Sequence, residues 1–160
     1  MHSIELLSPA RDLQCGLEAI RHGADAVYIG GPQFGARAAA GNSVTDIAEL
    51  CDFAHLFGAR VYVTLNTILW DDELPEVEAL IGELYRVGVD ALIVQDLALL
   101  KLQLPPIALH ASTQMDNCTP EKAQWLEAAG FRQIVLARET SLAQTRRIAE
   151  AVSVPLEAFV

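Results

Sequence analysis

The sequence contains no apolar run long enough to cross a membrane. Its longest stretch without Asp, Glu, Lys or Arg spans 102–115, and Pro105 and Pro106 interrupt it. A transmembrane helix needs about 20 predominantly apolar residues. Glu5 also lies where a secretory signal would require an apolar segment. We therefore expect a cytoplasmic protein with no membrane among its partners.

Cysteine is scarce, with three residues in a chain of 160. Cys15, Cys51 and Cys118 are odd in number and widely spaced, and no CxxC pair occurs. A disulfide framework needs an even set of cysteines, and zinc or iron–sulfur sites usually use closely spaced pairs. We interpret the three cysteines as free thiols, and we expect this chain by itself to hold no metal and no other cofactor.

Basic residues and the motifs of several enzyme classes are also lacking. The chain has 11 Lys and Arg against 21 Asp and Glu, a formal net charge of −10. A polyanion would therefore have to be held by a local cluster, because the overall field repels it. GxSxG, HExxH and GxxxxGK[ST] do not occur, so no signature of a serine hydrolase elbow, a zinc metalloprotease or a P-loop is present.

What the sequence does contain is a repeated unit, in which a helical stretch ends in glycine and an apolar, β-branched run follows. Gly23, Gly58, Gly88 and Gly130 each precede such a run. Glycine past a helix end relieves the left-handed conformation there, and wholly apolar runs are typical of parallel strands covered on both faces. We predict strands at 4–7, 26–29, 60–65, 91–94, 107–111, 133–136 and 155–159, separated by six helical segments that include 44–57, 74–87 and 120–129.

This alternation of strands and helices predicts a parallel sheet with right-handed crossovers. No GxGxxG follows the first strand, which disfavours a doubly wound dinucleotide-binding sheet. A (β/α)8 barrel typically takes about 250 residues. The predicted fold is therefore an incomplete TIM-type barrel of seven parallel strands and six helices. We expect 1–160 to be the N-terminal part of a catalytic domain, whose open first and last strands favour dimerisation.

In barrel enzymes the functional residues stand at the carboxyl ends of the strands. His110 ends an apolar strand and could act as acid or base near neutral pH; the alternative is a core histidine satisfied by a carbonyl. Glu157 lies in an otherwise apolar strand, where burial raises the pKa of an unpaired carboxyl. Arg138 is its expected partner, and that pair could equally be structural. These three residues are the candidate catalytic groups. The candidate substrate-binding residues are Arg37, Asn66, Gln95, Ser112 and Gln114.

Six segments of the chain are similar to the peptidase U32 (collagenase-like) family. They are ELLSPA (5–10), HGADAVYIGG (22–31), FGAR (34–37), LNTIL (65–69), GVDALIVQD (88–96) and HASTQ (110–114). Within that family, DDEL (71–74), PPI (105–107) and IVLARE (134–139) resemble a bacterial subgroup that hydroxylates a cytidine of 23S ribosomal RNA.

The resemblance implies an oxygen-independent hydroxylase that acts on ribosomal RNA or its precursor, with prephenate as the associated oxygen donor. It also implies an iron–sulfur cluster in the full-length protein, held by cysteines beyond Val160, so that the 160-residue chain should be inactive alone. Two other hypotheses remain open from the residues themselves. One is a collagenase-like peptidase, and the other is a non-catalytic module of ribosome assembly.

Overall fold

The computed structural model describes residues 4–35 and 41–160 of the chain. Seven parallel strands form one sheet in which the spatial order follows the chain order. The strands are β1 (Leu7–Ala10), β2 (Ala26–Gly30), β3 (Arg60–Leu65), β4 (Ala91–Val94), β5 (Ala108–Ala111), β6 (Gln133–Val135) and β7 (Leu156–Glu157). The helices are α1 (Leu13–Arg21), α2 (Val44–Leu56), α3 (Leu74–Arg86), α4 (Pro120–Ala128) and α5 (Leu142–Ala151).

The sheet is curled into a half-barrel. Tyr28 on β2 and Glu157 on β7 line the same cavity, although four strands separate β2 from β7 in the sheet. The larger hydrophobic core lies between the strands and the helices and includes Ile29, Leu50 and Leu92. A second buried cluster fills the concave side of the sheet; its members are Ala26, Tyr62, Ala91, Ile93 and Val135.

Local sequence signals account for where several helices begin. Ser43 and Ser141 each form a capping box with the residue three positions on, and Thr119 accepts a hydrogen bond from the backbone N–H of Lys122. Each cap satisfies an N–H group that has no partner within its helix. Helix α4 begins at Pro120, where the predicted helical segment 120–129 begins.

The strand and helix pattern is confirmed, although β7 covers only Leu156–Glu157 of the predicted 155–159. Two larger differences occur, the first of them at β1. This strand begins at Leu7 rather than at residue 4. The backbone N–H of Leu6 donates to the carboxylate of Asp25 at 2.8 Å, and the Glu5 side chain bonds to Tyr62. The carbonyl of Leu6 also accepts from the backbone N–H groups of Asp25 and Ala26. The residues before Leu7 are therefore held by side chains together with the backbone of Leu6.

The second difference is that the predicted set of six helices is wrong by one. The connection between β4 and β5 is the 3-10 helix Leu97–Lys101 and not an α-helix. It begins at the Asp96 cap, whose carboxylate accepts from the N–H of Ala98. Pro105 and Pro106 follow shortly afterwards, and proline cannot continue a helical hydrogen-bond ladder. The short segment before β5 therefore leaves no room for a longer helix.

Two further features of the structure concern contact with a membrane and with other chains. Within residues 4–35 and 41–160, no helix has the length and apolar character required to cross a membrane. At the two edges of the sheet stand β1 and β7, which do not pair with each other.

A candidate pocket at the carboxyl ends of the strands

A cavity of about 110 Å³ opens at the carboxyl ends of the strands. Its floor includes Thr64 and Ile93, which are paired in register on β3 and β4. Five of the eight residues predicted for the site line this cavity: Asn66, Ser112, Gln114, Arg138 and Glu157. The structure therefore places side chains that are far apart in sequence around one small polar space.

Ser112 is held firmly at the end of β5. Its side chain is almost completely buried, and its hydroxyl accepts from the backbone N–H of Gln114 at 3.2 Å and from the amide of Asn66 at 3.4 Å. The backbone N–H of Ser112 donates to the carbonyl of Val94. Ser112 thus joins the rim segments that follow β3, β4 and β5.

Asn117 is a site residue that the sequence did not indicate. It is 1% exposed, and its amide donates at 2.8 Å to the carbonyls of both Ser112 and Val135. The backbone carbonyl of Asn117 accepts from the N–H of Ala137, the residue before Arg138. Asn117 therefore fixes the segments that carry Ser112 and Arg138 relative to each other. No sequence signal identifies it, because its partners are backbone groups.

Similar links join other neighbouring rim segments. The Asn42 amide donates to the carbonyls of Arg11 and Gly30, and the hydroxyl of Thr67 donates to the carbonyl of Phe34. The carboxylate of Asp96 accepts from the N–H of Leu69. Short polar side chains thus hold the rim in one arrangement before any substrate arrives, which is the preorganisation that binding sites require.

The expected pairing of Arg138 with Glu157 is wrong. Glu157 accepts from the side-chain amide of Gln133 at 2.9 Å, and the guanidinium of Arg138 lies 4.6 Å from the centroid of the Phe159 ring. Among the described residues the two form no ion pair, although both line the cavity. Burial raises the pKa of Glu157, and the Gln133 amide opposes that shift only in part. The predicted rise in the pKa of Glu157 is therefore confirmed.

His110 lies below the cavity and not in its lining. It is 5% exposed, is paired in register with Ile93 and Gln133, and meets the ring of Tyr62 edge-on at 4.8 Å. Its Nδ1 has no hydrogen-bond partner among the residues described. The alternative interpretation of His110, a core histidine hydrogen-bonded to a carbonyl, is therefore wrong. Burial, assisted by the positive charge of Arg60, lowers the pKa of His110 to about 4. The imidazole is therefore neutral near pH 7.

Tyr62 connects His110 to the opposite end of the barrel. Its hydroxyl donates to the Glu5 carboxylate at 3.0 Å, and Arg60 forms an ion pair with the same carboxylate. Burial is the main reason that the pKa of Tyr62 lies well above its usual value. Tyr62 thus stays neutral and supports the ring of His110 from below.

Besides His110, two of the eight predicted site residues remain, Gln95 and Arg37. Gln95 follows β4 and is half-buried, but it is not among the residues that line the cavity. Arg37 lies outside the described residues. The role expected of Arg37 in substrate binding stays a prediction.

The three cysteines do not fit an iron–sulfur cluster. Cys15 lies on α1, Cys51 on α2 and Cys118 just before α4, and all three are free thiols. Burial raises the pKa of Cys51 to about 12, whereas cluster ligands are thiolates. In the part of the chain that the structure describes, no group of three or more His, Cys, Asp or Glu side chains is arranged to hold a metal ion.

Two relatives of known designation match almost the whole chain. The chain is 61% identical over 159 residues to the 23S rRNA 5-hydroxycytidine C2501 synthase of Escherichia coli, covering 99% of this chain and 24% of that protein. It is 34% identical to tRNA hydroxylation protein P1 of Bacillus subtilis, covering 98% of this chain and 38% of that protein. The chain thus spans between a quarter and two fifths of the length of these relatives.

The fold and the family also agree with the sequence motifs. The solved structure of the U32 peptidase Mk0906 superposes with a TM-score of 0.78 at 19% identity, over 99% of this chain and 69% of that one. At that identity the likeness shows the barrel-type fold alone. The model of peptidase family U32 matches residues 11–160. The chain, with its half-barrel and its pocket at the carboxyl ends of the strands, therefore belongs to peptidase family U32.

Proposed function

We propose that this chain is the substrate-binding barrel portion of a cytoplasmic RNA hydroxylase that converts a cytidine of 23S ribosomal RNA to 5-hydroxycytidine. The observation that carries the proposal is the 61% identity, over 99% of the chain, to the synthase from Escherichia coli. A second relative is a tRNA hydroxylation protein, which supports an RNA substrate for the family more broadly. In this proposal the chain is part of a longer protein, similar in length to these relatives.

The pocket residues suit the recognition of a polar planar group. Asn66, Ser112 and Gln114 offer amide and hydroxyl groups, and Arg138 and Glu157 offer a cation and a carboxyl group around one cavity. In our proposal Arg138 and Glu157 contact the substrate, whereas His110 lies beneath and supports the floor as a neutral ring. The hydroxylation also needs the iron–sulfur cluster and an oxygen donor, proposed to be prephenate. In this proposal Cys15, Cys51 and Cys118 are not ligands of that cluster.

Mass spectrometry of large-subunit ribosomal RNA tests the proposal directly. In a strain that lacks the gene, one cytidine should lose the mass of a single oxygen atom. The complete gene should restore it, whereas a gene encoding residues 1–160 alone should not. An RNA mass that is unchanged by the deletion would contradict the proposal. A second strain unable to make prephenate should show the same loss if prephenate is the donor.

A peptidase is the second candidate, because the matching family model and the similar solved structure both carry that designation. It predicts cleavage of gelatin or short peptides by the complete protein, and loss of cleavage in Glu157→Ala. The cleavage hypothesis fails if purified protein and the Glu157→Ala variant release the same amount of product. No arrangement of a nucleophile with a base is found among the cavity-lining residues described, where the hydroxyl of Ser112 accepts from the Asn66 amide and from the backbone N–H of Gln114.

A further inference from the structure

We propose that the exposed side of α5 is the surface that holds the phosphate backbone of the RNA, through Arg146 and Arg147, next to the rim that carries Arg138. We call these three arginines the β6–α5 cations. The inference rests on the proposed function and adds the surface by which an acidic chain holds a polyanionic substrate.

The charge of the chain is distributed unevenly along the sequence. Residues 1–120 contain 6 Lys and Arg against 16 Asp and Glu, whereas residues 121–160 contain 5 of each. Within the second part, the segment 133–151 contains the three β6–α5 cations against two glutamates. The overall field repels a polyanion, so RNA has to be held by a local group of cations. This segment provides such a group.

The β6–α5 cations are also not neutralised by carboxylates. Arg11, Arg21 and Arg60, in the first part of the chain, each form an ion pair with an Asp or Glu side chain. Within residues 4–35 and 41–160, no ion pair involves any of the β6–α5 cations. Their guanidinium groups therefore keep N–H donors for a ligand, and guanidinium matches the geometry of phosphate with two parallel hydrogen bonds.

The two arginines of α5 lie on its solvent side. Ile148 is the buried residue of this helix, whereas Arg146 and Arg147 are both exposed. Glu150 is the carboxylate within helical reach of both, and it pairs with neither in the structure described. The helix thus presents two adjacent, unpaired cations to solvent.

The rim segment between β6 and α5 is held in one arrangement. The backbone N–H of Ala137 donates to the carbonyl of Asn117 at 3.1 Å, and the N–H of Thr140 donates to the carbonyl of Ala137 at 3.0 Å. Ser141 then begins α5 with a capping box. Arg138 lies within this segment and lines the cavity. An RNA backbone that leaves the cavity at Arg138 can therefore reach the cations of α5 without a rearrangement of the chain.

The rim after β3 carries the opposite charge. Asn66 lines the cavity, and the loop that follows it leads to the exposed carboxylates of Asp71 and Asp72. Glu73 adds a third carboxylate, which accepts from the backbone N–H of Trp70 at 2.7 Å. Phosphates are repelled by such a group of carboxylates. The two rim segments therefore favour an RNA path over α5 and disfavour one over the loop after β3.

Fluorescence anisotropy titrations of the complete protein with fluorescein-labelled oligocytidine and oligouridine, at several salt concentrations, test the inference. The double variant Arg146→Gln, Arg147→Gln should weaken the binding of both RNAs equally, because phosphate contacts carry no sequence information. The slope of log K against log salt concentration should become shallower by about 1.4, since each phosphate contact to a single strand contributes about 0.7.

A matched control removes the same charge elsewhere. Arg21→Gln, Arg86→Gln changes the last turns of α1 and α3 and should leave the slope unchanged. Arg146→Lys, Arg147→Lys retains both charges and should keep the wild-type slope. Asp71→Asn, Asp72→Asn should not weaken the binding of either RNA. Glutamine and lysine favour helices about as well as arginine does, so the variants in α5 should fold, which circular dichroism checks.

Four results would overturn the inference. They are the absence of RNA binding by the wild type, an unchanged slope in folded Arg146→Gln, Arg147→Gln, an equal change in the control pair, and weaker binding in Asp71→Asn, Asp72→Asn. The RNA mass in the strain that lacks the gene reports separately on the proposed function. Loss of the hydroxyl group there together with an unchanged slope in the α5 variant would reject this surface alone.

Discussion

His110 and Asn117 are both buried polar residues, but the structure uses them in opposite ways. Asn117 donates to two carbonyls at 2.8 Å and ties two rim segments together. His110 has an Nδ1 without a hydrogen-bond partner in the described residues and remains neutral. A buried polar group costs free energy unless it is paired. The amide nitrogen of Asn117 is paired, whereas its Oδ1, like Nδ1 of His110, has no hydrogen-bond partner among the described residues. Asn117 therefore stabilises the fold through its donor atom, and His110 does not stabilise it by hydrogen bonding.

Asn117→Ala should lower the free energy of unfolding by about 1–3 kcal/mol, because it removes the side-chain donor to the buried carbonyl of Val135 and one of the two donors to the carbonyl of Ser112, which keeps the N–H of Met115. Urea unfolding followed by circular dichroism measures the change. Gln124→Ala is the control, since the amide of Gln124 makes only an exposed 3.4 Å bond to the carbonyl of Ala151. Equal losses of unfolding free energy in the two variants would show that the buried hydrogen bonds of Asn117 stabilise the chain no more than an exposed hydrogen bond does.

The low pKa of His110 predicts a dependence of stability on pH. In the unfolded chain this histidine binds a proton below about pH 6.5, whereas in the folded chain it does so only below about pH 4. Between these values the unfolded state binds more protons, so stability falls as the pH is lowered through that window. The loss due to His110 amounts to about 3 kcal/mol at its lower end.

The variant His110→Gln isolates this contribution. The difference in unfolding free energy between pH 7 and pH 4 should be smaller in the variant than in the wild type. Thr64→Val provides a control, because it changes another buried polar side chain that does not titrate. If the pH dependence is the same in His110→Gln as in the wild type, the histidine is not buried in neutral form.

At the scale of secondary-structure elements, the close approach of two helices depends on a glycine. Helices α1 and α2 pack together, and a Cβ atom placed on Gly16 of α1 would lie 2.8 Å from Cδ1 of Leu50 on α2. Leu50 is completely buried and has little freedom to move away. Gly82 on α3 has open space around the corresponding position. The two helical glycines therefore have different roles.

Gly16→Ala and Gly82→Ala form a matched pair of substitutions. Gly82→Ala should raise the free energy of unfolding by about 0.5–1 kcal/mol, because alanine favours the helix. Gly16→Ala gains the same propensity but crowds Leu50, and overpacking of a core typically costs about 1–3 kcal/mol. Chemical denaturation should therefore show Gly16→Ala to be the less stable of the two. Equal stabilisation by both would mean that α1 and α2 separate easily.

At the scale of the whole molecule, the sheet has two unpaired edges. β1 and β7 end the seven-stranded order, and β7 has only two residues. Unpaired strand edges invite pairing with another chain. The exposed side chain of Leu6, next to β1, adds an apolar contact at one of these edges.

We expect the 160-residue chain to self-associate through these edges in a concentration-dependent manner. Sedimentation velocity should show a dimer that weakens in Leu6→Lys, because lysine at an edge opposes strand pairing. Leu56→Lys is the control, since Leu56 is equally an exposed leucine but lies at the end of α2. A monomer at all concentrations, or equal weakening by both substitutions, would argue against edge pairing.

The sequence by itself determined the order of elements, the parallel sheet and much of the pocket. Apolar runs after glycine and capping residues are local signals, which is why β3 and β4 lie at the predicted positions and α4 begins at Pro120. The missing α-helix before β5 has a local cause too, in Pro105 and Pro106. The tertiary structure decided which groups pair. Gln133 rather than Arg138 bonds to Glu157, and Asn117 joins two rim segments, because such contacts depend on strand register and backbone position and leave no pattern along the chain.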